Sequence, residues 1–263
     1  MSESQIAVVL RDLINSNAKL QLINKVLRSI ELSITKISFD SLDIDNLAPL
    51  LHHIYCLQSS AIRSSVLRIC CLIETISPVS ITEDYSFDYL VAASLDQKPP
   101  DPQPKIDEEK IAALSYSLLL LRFREYLPIS ILRGLISLYS IPVQAISSQY
   151  KKNILNILCE ASLFCDYLDE VPEVCHILVD SLVDTGSPTL SSLLAYSIEH
   201  KLPLVRENRY LSPLLAPFAQ LKPSEKLSNA RKALSLFLRT WPGFLYFGIQ
   251  SGEKNLKFKK KKN

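Results

Sequence analysis

The chain has 263 residues, of which 48% are hydrophobic and 21% charged, with only five glycines. That length suits one large domain or a continuous array, the apolar content excludes disorder over most of it, and the scarcity of tight-turn residues disfavours sheets and glycine-rich nucleotide folds. The net charge of +2 conceals a split, because residues 254–263 hold six lysines and no acid, and removing those six leaves −4 on residues 1–253.

The first segment, 3–31, has apolar residues seven apart: Ile6, Leu13, Leu20 and Leu27 in one register, Val9, Ile23 and Ile30 in another, with Ser16 as the break. A coiled-coil seam fits this spacing. The run Asn15-Ser16-Asn17 favours instead two ordinary amphipathic helices. Residues 36–46 form a loop, and Asn46 is expected to cap a helix over Leu47–Gln58. A helix over Ala61–Ile76 follows, with Ile62, Val66, Ile69, Leu72 and Ile73 inward, Arg63 and Arg68 as candidate binding cations, and Pro78 as its stop. Residues 84–95 form a short helix.

Four prolines then fall between 99 and 104. Proline fixes φ and removes a donor, so Pro99 and Pro100 open an exposed, extended loop that connects repeats and could also be read by a proline-binding domain. Asp107 caps the next helix, whose first turn holds Glu108 and Glu109 and whose expected core face is Ile111, Leu114, Leu118 and Leu121. Pro128 occupies the N1-like position of a helix over Ile129–Tyr139. Helices near 148–164, 172–184, 188–200 and 224–240 complete the pass, with Pro172, Pro188 and Pro223 at their starts.

Helix starts near 61, 107, 150 and 190 lie about 40–46 residues apart, each followed by a second helix, which is the period of HEAT and armadillo repeats. One helix pair cannot bury its apolar face alone, so pairs stack. The expected fold is all-α, a HEAT/armadillo-like superhelical repeat array over 36–250, preceded by a helical or coiled-coil segment at 1–35 and followed by a basic, disordered tail at 251–263.

Chemistry is poorly provided for. The chain has no P-loop, no G-x-G-x-x-G, no G-x-S-x-G and no H-E-x-x-H. Cys159, Cys165, Cys175 and His176, with Cys56, Cys70, Cys71, His52 and His53 elsewhere, include no C-x-x-C pair. Cys70 and Cys71 point about 100° apart on a helix and cannot readily share an ion. Neither a metal nor a cofactor is expected, and the cysteines read as small buried hydrophobes of a reducing compartment. Asp84, Asp88, Glu108, Glu109, Asp169 and Glu170 lie at helix starts and loops, where capping and solvation account for them. Catalysis would need His176 or His200 to converge with a thiolate in a deep pocket.

No run reaches the roughly 18 apolar residues of a membrane span. The N-terminus lacks a basic n-region, and its apolar run Ile6–Leu10 is too short for a signal peptide. The tail lysines, Lys259, Lys260, Lys261 and Lys262 with Phe258 before them, could meet an anionic membrane surface. The folded part is too sparsely basic to read nucleic acid.

Several phrases resemble the Rictor/Pianissimo family, the scaffold subunit of TOR complex 2, in its N-terminal helical region. AIRSSVLRICCLIETIS and FDYLVAASLD come first, then EEKIAALSYSLLLLRFRE, LPISILRGLISLYS, YKKNILNILCEASLF and PEVCHILVDSLVD. The most specific phrases are late: Arg209-Tyr210-Leu211, then Leu215-Ala216-Pro217-Phe218, then Arg239-Thr240-Trp241-Pro242-Gly243. These are expected to be packing and turn elements, with Trp241 buried and Pro242-Gly243 forming a turn. The resemblance spans about 40–249. Family members are far longer, so whatever their later regions do is not carried over.

The resemblance implies a non-catalytic scaffold that assembles TOR kinase with a Sin-family protein, for AGC-kinase regulation and actin organisation. Its expected location is cytoplasmic or peripheral at the plasma membrane. The alternative is a HEAT/armadillo adaptor for transport or trafficking cargo.

Overall fold

The computed structural model describes residues 3–16, 18–36, 44–56, 59–76, 87–96, 108–141, 148–164, 168–200, 212–220 and 223–245. Among them there are helices and no strand. They form two compact units, 1–157 and 158–263.

The first unit begins with α1 (Glu3–Asn15) and α2 (Leu20–Ile34), and the break between them falls at the Asn-Ser-Asn run. Buried positions are Ile6, Leu10 and Leu13 on α1 and Ile23, Leu27, Ile30 and Ile34 on α2, the 3–4 spacing of two amphipathic helices. Leu20 is 53% exposed, so the seven-residue seam does not continue across the break. Next come α3 (Ile44–Tyr55), α4 (Ser60–Ile76), α5 (Asp88–Asp96), α6 (Glu108–Arg124) and α7 (Ile129–Ser140). Asn46 lies inside α3, two residues past its start, and is not a cap; Pro49 is accommodated within the helix as well. Pro128 is the N-cap residue of α7, one position before the N1 site expected.

Packing in this unit skips one helix at a time. α1 meets α3, α2 meets α4, α4 meets α6 and α5 meets α7, while α3–α4 and α5–α6 form hairpin contacts. The Tyr55 hydroxyl adds a link from α3 to α5 by donating to the Leu90 carbonyl at 3.0 Å. This pattern follows from sequence period: each pair buries its stripe against the next pair. Ile62, Val66, Ile69 and Ile73 of α4 are all essentially inaccessible, each contributing about 1.5–3 kcal/mol by leaving water.

α6 departs from the expected face. Leu114 and Leu121 are buried, but Ile111 is 41% exposed, and Ala113, Tyr116, Ser117 and Leu120 lie inside. The cause is two-sided contact: α6 packs on α4 and on α5, which widens the buried arc beyond one stripe.

α8 (Ser148–Phe164) contains the boundary between the units. The second unit then has a 3-10 turn (Leu168–Glu170), α9 (Glu173–Thr185), α10 (Pro188–Glu199), α11 (Ser212–Leu215), a 3-10 turn (Ala216–Ala219) and α12 (Glu225–Phe237). A short helix, α13 (241–245), ends the described chain. α9 is the hub, meeting α10, α11 and α12, and its Val174, Leu178, Val179 and Leu182 are buried. Ser187 and Ser224 cap α10 and α12 by accepting from Leu190 N–H and Leu227 N–H. α9 ends at Gly186 in the left-handed region, φ 62°, where a side chain is strained. Among the described residues the fold is thus all-α, with helices packed on helices within each unit. No described helix is long and apolar enough to cross a membrane.

Candidate interaction surface

The two arginines offered as candidate binding cations, Arg63 and Arg68, are both paired within the first unit. Arg63 of α4 pairs with Glu109 of α6 at 2.9 Å. Arg68 of α4 reaches Glu31 of α2 at 3.3 Å and Glu108 of α6 at 3.5 Å, and donates to the hydroxyls of Ser64 and Ser65. Because α4 sits between α2 and α6 in the packing order, one guanidinium can bind both neighbours. Glu109 is not a solvated helix-start acid. It is buried, and it also accepts from the Ser94 hydroxyl at 2.9 Å, while the Lys110 ammonium donates to the Ser94 carbonyl. These contacts fix the end of α5 to the start of α6.

A second pair joins the same two helices. Glu74 of α4 is fully buried, and Arg124 of α6 donates to both its oxygens, at 2.8 and 2.9 Å. Burial pushes the Glu74 carboxyl above its ordinary range, and Arg124 opposes that shift. The signal in the sequence was Glu74 lying on the Leu67–Cys70 stripe of α4; its partner, 50 residues away, had none.

Cys70 and Cys175 are buried, and Cys71 and Cys159 are partly so. Burial pushes the Cys71 and Cys159 thiols up to about 12 and raises Cys70 as well, which holds them protonated at neutral pH. Among the described residues no group of three His, Cys, Asp or Glu side chains is placed to hold a metal ion. His200 is exposed at the end of α10, with its ring 4.1 Å from that of Tyr196.

The late phrases are where the surface becomes informative. Of Leu215-Ala216-Pro217-Phe218, only Pro217 is buried, and Leu215 and Phe218 are exposed. Arg239 is exposed too, and Trp241 is 70% exposed, overturning the expectation that it fills the core. Pro242-Gly243 is not a free turn but the first turn of α13. Thr240 starts that helix: its hydroxyl donates to the Phe237 carbonyl at 2.9 Å and accepts from Gly243 N–H at 3.2 Å, and its carbonyl accepts from Phe244 N–H at 2.9 Å. Gly243 packs so closely that a methyl group there would overlap the Phe237 carbonyl. Two residues are about 200° apart on a helix, so turning Gly243 inward turns Trp241 outward. Trp241 then stacks on Phe244 with ring centroids 5.9 Å apart.

Arg209, Tyr210, the proline-rich stretch with Pro99 and Pro100, the cap Asp107, and Lys259, Lys260, Lys261 and Lys262 lie outside the described residues.

Residues 9–257 match the model of one protein family, described as the N-terminal region of the rapamycin-insensitive companion of mTOR. No curated protein matches the chain, and no solved structure does. With almost the whole helical array inside that match, the chain belongs to the family of the rapamycin-insensitive companion of mTOR, N-terminal region.

Proposed function

We propose that this chain is a non-catalytic scaffold subunit of TOR complex 2. The observation that carries the reading is the family match over 9–257, which takes in every described helix from the second half of α1 to α13. The reading assigns it the placing of TOR kinase beside a Sin-family partner in the cytoplasm, so that AGC-type kinases are recognised and actin organisation is controlled.

The physical account needs no reactive residue. Stacked helix pairs bury their apolar stripes against one another and leave helix edges and inter-helix loops for partners. The protonated, buried thiols and the internally paired arginines fit a framework better than a reaction centre.

Purification of the tagged chain from its own cells is the direct test. Recovery of a TOR kinase with a Sin-family protein is the expected result. Recovery of transport cargo or coat subunits without TOR would overturn the assignment in favour of a trafficking adaptor.

A further inference from the structure

The helix α13 is inverted relative to an ordinary surface helix. Gly243 is buried and Pro242 half-buried, while Trp241, Phe244 and Leu245 are exposed. Positions i, i+3 and i+4 share one helix face, so these three side chains form one outward apolar surface. Leu238, three residues before Trp241 and also exposed, extends it toward α12. Soluble helices turn such residues inward; a Trp-centred surface facing out marks a site meant to be covered.

Charge indicates what covers it. Arg239 is exposed within the same segment, and the chain that follows carries Lys254, Lys257 and Lys259 through Lys262 with no acid among residues 254–263. Lys254 is nine residues past Leu245, so its tether spans at most about 30 Å. The rest of the chain is net acidic, so positive charge is concentrated at the end that bears the aromatic face. An apolar, Trp-containing wedge beside a polybasic stretch is the combination that binds anionic bilayers, where the ring sits at the headgroup level and the lysines meet lipid phosphates.

We propose that α13 docks on an anionic phospholipid bilayer, with Trp241, Phe244 and Leu245 entering the headgroup layer. This inference does not depend on the TOR assignment.

Trp241 is the chain's only tryptophan, so its fluorescence reports the step directly. The full chain is mixed with vesicles of phosphatidylcholine alone or of phosphatidylcholine with phosphatidylserine, and emission and flotation are followed. With phosphatidylserine, emission should shift to shorter wavelength and be quenched by bromine-labelled acyl chains; phosphatidylcholine alone should do neither. Phe244→Ser with Leu245→Ser should cut flotation by about tenfold or more, and the set Lys259→Ser, Lys260→Ser, Lys261→Ser and Lys262→Ser should also cut it. Emission unchanged on phosphatidylserine vesicles overturns the proposal, even if lysines alone float the protein. So does an emission shift produced by purified TOR kinase but not by vesicles, which would make the face a protein contact. Should the apolar variant misfold by circular dichroism, the emission of the unaltered chain still decides.

Discussion

Arg124 of α6 holds both carboxylate oxygens of Glu74 of α4, at 2.8 and 2.9 Å, with Glu74 wholly out of water. A buried charge of this kind is tolerated only while its partner is present. Arg124→Met should therefore destabilise the protein by about 3–5 kcal/mol, because it strands the carboxylate. Adding Glu74→Leu should restore most of that loss, since an apolar pair of similar volume needs no compensation. Urea unfolding of the single and double variants measures both. An Arg124→Met variant as stable as the parent would show that the pair does not hold α4 to α6.

The same carboxyl gives the stability a pH dependence of defined sign. Burial, only partly opposed by Arg124, holds Glu74 above its ordinary value of 4.5. A group raised in this way binds its proton more tightly folded than unfolded, so its contribution is complete below 4.5 and is lost as pH rises through the folded value. The stability of the parent relative to Glu74→Gln should therefore fall as pH is raised from below 4.5 toward neutrality. Parallel unfolding midpoints across that range would remove the assignment.

Most helices and their order were legible because 3.6-residue periodicity and proline punctuation are local signals. The break at Asn15–Asn17, the Pro188 start of α10 and the extent of α4 all came from neighbours in sequence. What periodicity could not supply was which arc of a helix is buried once it has two neighbours. A single stripe puts Ile111 inward, whereas α5 on the second side of α6 shifts the buried arc and leaves Ile111 exposed. Large aromatics gain most from burial, which points Trp241 inward. The close approach of Gly243 to the Phe237 carbonyl decided otherwise, a backbone constraint with no apolar signature. Arg63 and Arg68 looked available because their partners, Glu109 and Glu31, are 46 and 37 residues away.

The end of α9 is set by one glycine and one asparagine. Gly186 has φ 62°, and Asn229 of α12 donates to the Val183 carbonyl at 3.1 Å. A methyl group on Gly186 would lie 2.5 Å from the Asn229 side-chain oxygen. Gly186→Ala should cost about 2 kcal/mol or more, from the left-handed backbone and the clash together. Asn229→Ala should cost about 1–3 kcal/mol, because a carbonyl of α9 loses its donor. Combined, the two should cost less than their sum, since the clash disappears with the asparagine. Additive losses in chemical unfolding would mean the two residues do not share this corner.

Thiol chemistry should separate one cysteine from the rest. Cys56 is exposed just past α3, whereas Cys70 and Cys175 are buried and Cys71 and Cys159 are pushed up to about 12. A thiol titrating near 12 is thiolate in only about one part in ten thousand at pH 8, and the thiolate is the reactive form. In a Cys165→Ser background, a disulfide reagent at pH 8 should label Cys56 rapidly in the native protein and the other four only on unfolding, as peptide mapping would show. Native labelling of Cys71 or Cys159 at the rate of Cys56 would mean that these helices open readily.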